Sequence, residues 1–438
     1  MPRDPLVPFA RAGTAWRERL GGSGLATTTA GYSLRGWGPC VPSLVDQHWP
    51  WWPLLPLYPY GRRRTLVREL IAGQVWSFEQ LQGIFYVAVP IRMTVVRLKQ
   101  GLLLYAPVAA TQDLLAELRQ LEILHGPVCS IVLATSSGLE HKLPLPALAR
   151  AFPQAQVWVS PGQWSFPLNL PLSWLGFPSG RTHTLFEDGL PHSDELAWES
   201  LGPVDLGLGR FQEISCLHRA SGSLLLTDAL VAIGAEPPEL FDADPTPLLF
   251  HARERGDEPL IDSPEQRRKG WQRLVLFASY FRPAPLEVVP LSQVCSQAFR
   301  PGLRTARSYF GLYPFRWQSG WEQAFSALLA GGQPKLQLAP VLERLVFPRH
   351  RGVLLEWLRR LARLQGIRQV IGAHYLAPLA CTGADFGRLA SELEARPWAP
   401  SGDDWATLSA IDDRLLRWGL VPGTVAETAT TKPSKKIP

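Results

Sequence analysis

Cysteine is scarce in this 438-residue chain. The five that occur, Cys40, Cys129, Cys216, Cys295 and Cys381, are odd in number, far apart and without any C-x-x-C pair. That argues against a disulfide framework or a thiolate zinc cluster and fits a reducing compartment. A long apolar run is missing too: no stretch of about eighteen apolar residues exists to cross a bilayer. The nearest candidate, Trp49 to Tyr60 (WPWWPLLPLYPY), is broken by proline every two or three residues. It reads as an extended aromatic strap over a core, with contact to a membrane surface as the alternative. Charge of one sign is not in excess, since 44 basic residues face 38 acidic ones for a net +6; charge alone does not indicate nucleic acid. No G-x-G-x-x-G follows a strand, which leaves a flavin- or nicotinamide-linked oxidoreductase without support. No solenoid repeat is present.

What is there points to a folded, mixed protein. With 46% hydrophobic residues, 17 Trp and 41 Pro, the chain is neither disordered nor a helical bundle, and its length allows one large domain with insertions or two smaller ones. Residues 1–47 are rich in Arg, Gly and Thr and poor in acids; they resemble a transit peptide in composition, but a disordered tail explains them with fewer assumptions. A second disordered tail is expected over 421–438, leaving one domain over 48–420.

Along that domain, Ile84 to Tyr105 reads as strands (IFYVAV, IRMTVVRL, LLLYA) with a turn at Lys99-Gln100-Gly101. Thr111 can cap a helix over 113–124, which Gly126-Pro127 stops before a buried strand from Val128 to Ala134. A loop (Thr135 to Lys142), a short helix (PALARAF) and a strand (QVWVS, ending at Ser160) follow. Pro161 to Leu208 reads as long surface loops, then Glu213–His218 and Leu224–Asp228 as a hairpin around Ala220-Ser221-Gly222. Ser263-Pro264-Glu265-Gln266 starts a helix that heads a mostly helical insertion over 263–345. A helix over 353–365, closed by Gly366, precedes a strand from Ile367 to Gly372.

Three of these strands end in metal-capable side chains. Val128–Ala134 leads to Glu140-His141, Leu224–Thr227 to Asp228, and Ile367–Gly372 to His374. Two carboxylates and two imidazoles make an N₂O₂ set suited to zinc, iron or manganese, zinc first; no bound ion is the alternative.

The order and spacing of these residues resemble the metallo-β-lactamase superfamily, whose second motif reads T-H-x-H-x-D-H. Here Thr135-Ser136-Ser137-Gly138-Leu139-Glu140-His141 stands in its place: Ser136 and Gly138 replace two histidines, Glu140 replaces the aspartate, and His141 is kept. Leu225-Leu226-Thr227-Asp228 matches LLTGD with its bridging aspartate, and His374 matches the final histidine. The histidine expected near Leu208 is absent. The resemblance implies an α+β, four-layer αβ/βα sandwich with an extended N-terminal arm, and a site that keeps the ligands of one metal while losing those of the other. A closer resemblance, carried by PLLPLYPYGRRRTLVREL, PIRMTVVRL, GLEHK, PGQWSFPLNLPL, LLLTDAL and RRKGWQRLVLF, is to an uncharacterised cyanobacterial and plastid branch, domain of unknown function 4336. Cytoplasm, or plastid stroma in a plant, is the compartment this implies.

Each residue also has a plainer role. His141 and His374 could be strand-end histidines bonded to backbone; Glu140 a surface acid paired with Lys142; Asp228 a hairpin-end cap. His218 reads as a core histidine or as a partner of Asp228, and His251 is equally open. The clusters Arg62-Arg63-Arg64, Arg267-Arg268-Lys269 and Arg349-His350-Arg351 would bind an anion or nucleic acid only if they converge. Trp158, Trp164, Trp174 and Trp271 are expected as core and interface fillers. Two functions follow. One is a mononuclear hydrolase of a small-molecule or phosphorylated substrate, with Glu140, His141, Asp228 and His374 holding the ion and Asp228, or His218 behind it, accepting a proton. The other is an inactive binding or scaffold protein that meets a protein partner through the aromatic Pro-rich loops.

Overall fold

Strand alternation divides this chain's apolar residues between three layers of core. In the computed structural model, which describes residues 57–58, 63–84, 87–164, 169–207, 209–305 and 308–423, the first sheet contains β1 (Leu57–Tyr58), β2 (Leu66–Ile71), β3 (Val75–Ile84), β4 (Val87–Leu98), β5 (Gly101–Tyr105), β6 (Val128–Leu133), β7 (Gln156–Val159) and β8 (Thr182–Thr184). β5 to β8 run parallel, joined by α1 (Gln112–His125), the single turn α2 (Leu139–Lys142) and α3 (Leu145–Ala151). On β5, Leu102 and Leu104 face α1 and α3, whereas Leu103 and Tyr105 face inward. Thr111 caps α1 by accepting from the Leu114 N–H at 3.2 Å.

The second sheet contains β9 (Leu196–Asp205), β10 (Arg210–His218) and β11 (Ser223–Leu226), with strands from later in the chain. Between them lie β12 (Leu230–Ala232), α4 (Thr246–Ala252), α5 (Pro264–Tyr280), β13 (Leu286–Val288), α6 (Leu291–Gln297), β14 (Phe315–Trp317), α7 (Trp321–Ser326), β15 (Leu336–Leu338) and α8 (Pro340–Leu345). The chain then returns through α9 (Arg351–Arg363) to β16 (Gln369–Gly372) and β17 (Leu379–Ala380), and ends in α10 (Gly383–Ala395) and α11 (Ala406–Arg417). β16 lies parallel beside β11. Leu224 and Leu226 pack against α9 and α10, while Leu225 and Ile371 meet the first sheet's inner face. The layers are helices, sheet, sheet, helices: the αβ/βα sandwich.

Several elements differ from what the pattern suggests. The opening sheet starts earlier, at β2 and β3, because Ser77, Glu79 and Gln80 interrupt the apolar run yet are buried. The segment expected as loops contains the ten-residue β9, whose Glu199, Ser200, Gly202 and Pro203 hide its alternation. The 263–345 region is less helical than expected: after α5 its helices are short and alternate with three-residue strands. Ser263 caps α5 through the Gln266 N–H. The helix expected over 353–365 is α9, which begins at Arg351 and ends at Arg363. Both expected tails (421–438 apart from 421–423) and all of the aromatic strap but the backbone of Leu57–Tyr58 lie outside the described residues, as does Leu208.

Candidate metal centre

Strand register delivers two of the four side chains. Leu226 on β11 is paired with Gly372 on β16, so Asp228 and His374, each two residues further on, leave the sheet side by side. The other two come from α2, which follows β6 of the opposite sheet. A backbone bridge between Thr135 and Glu213, with Ile214 N–H donating to Ala134 O at 2.7 Å and Ser136 N–H to Gln212 O at 2.9 Å, joins the sheets at this rim.

Glu140, His141, Asp228 and His374 each offer one donor atom, and these atoms lie within 4.8 Å of one another. His374 Nε2 is 3.1 Å from Asp228 Oδ1 and 4.0 Å from Glu140 Oε1. Tetrahedral donors at about 2.1 Å from an ion stand about 3.4 Å apart, so at its widest, 4.8 Å, the set is about 1.4 Å more open than a closed shell. Both imidazoles are oriented through Nδ1: His141 pairs with the Pro107 carbonyl at 2.9 Å, His374 with the Pro90 carbonyl at 3.2 Å. A carbonyl accepts only from N–H, which leaves Nε2 of each ring as the inward atom in the neutral form. Nε2 of His141 is buried and has no hydrogen-bond partner among the described residues, an orphan that a cation would satisfy. The donor set therefore fits a divalent ion.

The charges follow from this geometry. Burial pushes the His374 imidazole down, but the Asp228 carboxylate outweighs it and holds the ring above its ordinary value. Burial likewise raises Asp228, and His374 reverses that to leave it below the usual range. His141, fully enclosed, is lowered by burial despite the charge of Glu140. Exposure is partial: 27% for the Glu140 side chain, 17% for Asp228 and 15% for His374, whereas His141 is fully buried.

Ser136 and Gly138, which stand where the resembled motif has histidines, serve the loop instead. Ser136 Oγ donates to Arg210 O and accepts from Gln212 N–H, both at 2.9 Å, fixing the loop to β10. A Cβ on Gly138 would lie 2.6 Å from Thr135 Cγ2, so no larger side chain fits there without displacement. Lys142 does not pair with Glu140; its ammonium is buried and donates to Ser136 O at 2.7 Å and Trp164 O at 2.5 Å. Burial lowers that lysine to about 8.

His218 does not stand behind Asp228. It pairs with Ser223, at the far end of the β10–β11 hairpin, and its Nδ1 bonds Ser221 Oγ at 2.8 Å; a role as proton acceptor at the cluster does not go with that position. His251 sits on α4 among Phe250, Phe277 and Phe315. Two of the basic clusters are used within the fold: Arg267 pairs with Asp262 and Asp242, Arg268 with Glu236, Lys269 with Glu254, and buried Arg349 with Asp412, while Arg351 covers Trp398; Arg62 of the remaining cluster lies outside the described residues. Trp271 is a core filler bonded to Gly234 O, whereas Trp174 is exposed.

One residue of the site escapes sequence reasoning. Glu213, wholly buried, accepts from the N–H groups of Thr227, Asp228 and Ala229 at 2.7, 3.0 and 2.7 Å. Burial, then the charge of Asp228, pushes it up to about 7 against those three donors. Its only sequence signal is an acid in the middle of a strand of mixed composition, RFQEISCLH.

The αβ/βα sandwich thus presents two imidazoles and two carboxylates together at the ends of its strands. The chain belongs to the family described as Domain of unknown function (DUF4336), whose model matches residues 72–391. Among solved structures it is similar to a metallo-β-lactamase from Pontibacter korlensis (16% identity, 37% of this chain and 71% of that one, TM-score 0.26). It is also similar to the enzyme FIM-1 from Pseudomonas aeruginosa in its mono-zinc form (13%, 37% and 67%, 0.25) and to a metallo-β-lactamase from Erythrobacter litoralis (11%, 75% and 97%, 0.31). No curated protein matches the sequence. Among the described residues no helix is long and apolar enough to cross a membrane.

Proposed function

We propose that this protein is a mononuclear metal-dependent hydrolase whose ion, zinc ahead of iron or manganese, is held by Glu140, His141, Asp228 and His374. The observation that carries this reading is the pair of carbonyl-oriented imidazoles facing two carboxylates, with His141 Nε2 buried and unpartnered. A divalent ion there supplies Lewis acidity toward a carbonyl or phosphoryl oxygen. The protein's own part is to fix the donors through Pro90 and Pro107, to close the His141 side against water, and to leave Glu140 as the most exposed and most easily released ligand. Asp228 is the proton acceptor in this reading, and His374, 3.1 Å from its Oδ1, is the group with which it would share that proton. A small ester or phosphorylated compound is the substrate class. The four described thiols are all free, which supports a reducing compartment, the cytoplasm or a plastid stroma.

The second reading, a binding or scaffold protein without catalysis, is favoured by the use of Ser136 and Gly138 for loop structure instead of ligation. Elemental analysis of the full chain separates the two. About one equivalent of metal in the wild type, lost in both Asp228→Ala and His374→Ala, supports the hydrolase and justifies substrate screening. No stoichiometric metal, with both variants as stable as the wild type, removes it.

A further inference from the structure

Glu213 has a buried carboxylate whose oxygens are both occupied by backbone. Oε1 takes the Thr227 N–H, Oε2 those of Asp228 and Ala229. These are consecutive amides of the turn that carries Asp228, and β11 ends at Leu226, so no ladder bond from that strand fixes the turn. At the same time the main chain of 212–214 bonds 134–136, the start of the loop that carries Glu140 and His141. The 212–214 segment thus grips both halves of the cluster, one through the main chain of Gln212 and Ile214 on either side of Glu213 and the other through the Glu213 side chain. Tyr105 Oη, donating to Ile214 O at 2.7 Å, braces the same point from the first sheet.

We propose that Glu213 is a positioning residue that sets the separation between Asp228 and the Glu140-His141 turn, and so the shape of the metal cluster. The inference rests on the metal-site reading above. It requires an acceptor with two oxygens: a carboxamide in its place offers one oxygen and one N–H₂, and the N–H₂ would face at least one backbone donor. The turn would then swing to relieve that contact and carry Asp228 with it. Because Glu213 touches no ligand atom, its effect must appear as altered coordination geometry, not as a missing ligand.

The test uses Co²⁺ as the probe on the full chain, reading both the dissociation constant and the visible ligand-field spectrum. Glu213→Gln is compared with the wild type and with Leu361→Ala, a truncation on α9 in the outer core of the second sheet that lowers stability while removing neither a ligand nor a hydrogen bond of the turn. Expected is a Glu213→Gln spectrum changed in position and intensity, with affinity weakened about 10- to 100-fold. Leu361→Ala should keep the wild-type spectrum. Glu213→Asp, which keeps both oxygens one methylene short and serves if the carboxamide does not fold, should fall between the two. A wild-type spectrum and affinity in Glu213→Gln or Glu213→Asp, or a loss no larger than that of Leu361→Ala, overturns the proposal. Should the wild type bind no Co²⁺, the metal reading fails by itself. Glu213 is then judged by amide hydrogen exchange: lost protection at 227–229 in Glu213→Gln supports its hold on the turn, and unchanged protection overturns it.

Discussion

Glutamine in place of Glu79 should loosen the segment that carries His374 and cost about 3 kcal/mol of stability. Glu79 on β3 faces Arg92 on β4 in register and takes its Nε at 3.0 Å, with Arg68 Nε at 3.1 Å and Ser77 Oγ at 2.9 Å on the same oxygen. Arg92 in turn donates to Gly372 O and, at 2.8 Å, to Tyr375 O, on either side of His374. Burial alone would raise this carboxyl, but Arg92 and Arg68 outweigh it and lower it from 4.5 to about 2. That difference is worth about 3 kcal/mol at 1.36 kcal/mol per pKa unit, of the same order as the roughly 3–5 kcal/mol cost of stripping one partner from a buried pair. Since the folded value lies below the unfolded one, the contribution is complete above pH 4.5 and is withdrawn as pH falls toward 2. Urea unfolding of wild type and Glu79→Gln should differ by about 3 kcal/mol at pH 7 and by about half of that at pH 3. Metal affinity of the variant should drop about 10-fold or more as Arg92 releases the 372–375 carbonyls. A gap under about 1 kcal/mol at pH 7, or one that is as wide at pH 3, would refute the assignment of the clamp to this charge pair.

Three further outcomes are expected. A cation must displace the proton that Asp228 retains on His374, so zinc affinity should rise with pH through and beyond 6.5, where an ordinary histidine would already be neutral; in the metal-free protein the same pairing stabilises the fold below pH 6.5 and is lost as pH climbs past the raised value. Titration at several pH values reads this, and a flat profile between pH 6 and 8 contradicts it. Gly138→His, which puts a histidine where the resembled metallo-β-lactamase motif has one, should not add a second metal, because its Cβ meets Thr135 Cγ2; elemental analysis should still give at most one equivalent, and unfolding should occur at lower urea. Lys142, lowered to about 8 by burial, favours the neutral form in the folded state, so wild-type stability should increase between pH 8 and 10. Lys142→Met should lack that increase, and a parallel increase in the variant would show that another group is responsible.

The sandwich was legible where local chemistry agrees with tertiary environment. Thr111, Ser263 and Gly366 mark helix ends through their own caps and turns, and LLLYA, VCSIVL and SLLL are apolar because they are covered on both faces. β2, β3 and β9 were not legible, since Glu79, Gln80 and Glu199 break the alternation and find their partners only across the fold. The same holds for the site. The sequence by itself determined which four residues end strands with a metal-capable group, and that Ser136 and Gly138 cannot ligate as histidine does. Only tertiary structure decided that Leu226 and Gly372 share a register, bringing Asp228 and His374 together, and that His218, on the same strand as Glu213, points to the opposite end. It also decided that Glu213, silent in the sequence, holds the Asp228 turn, because hydrogen bonds between residues 14 to 16 apart exist only once two strands have paired.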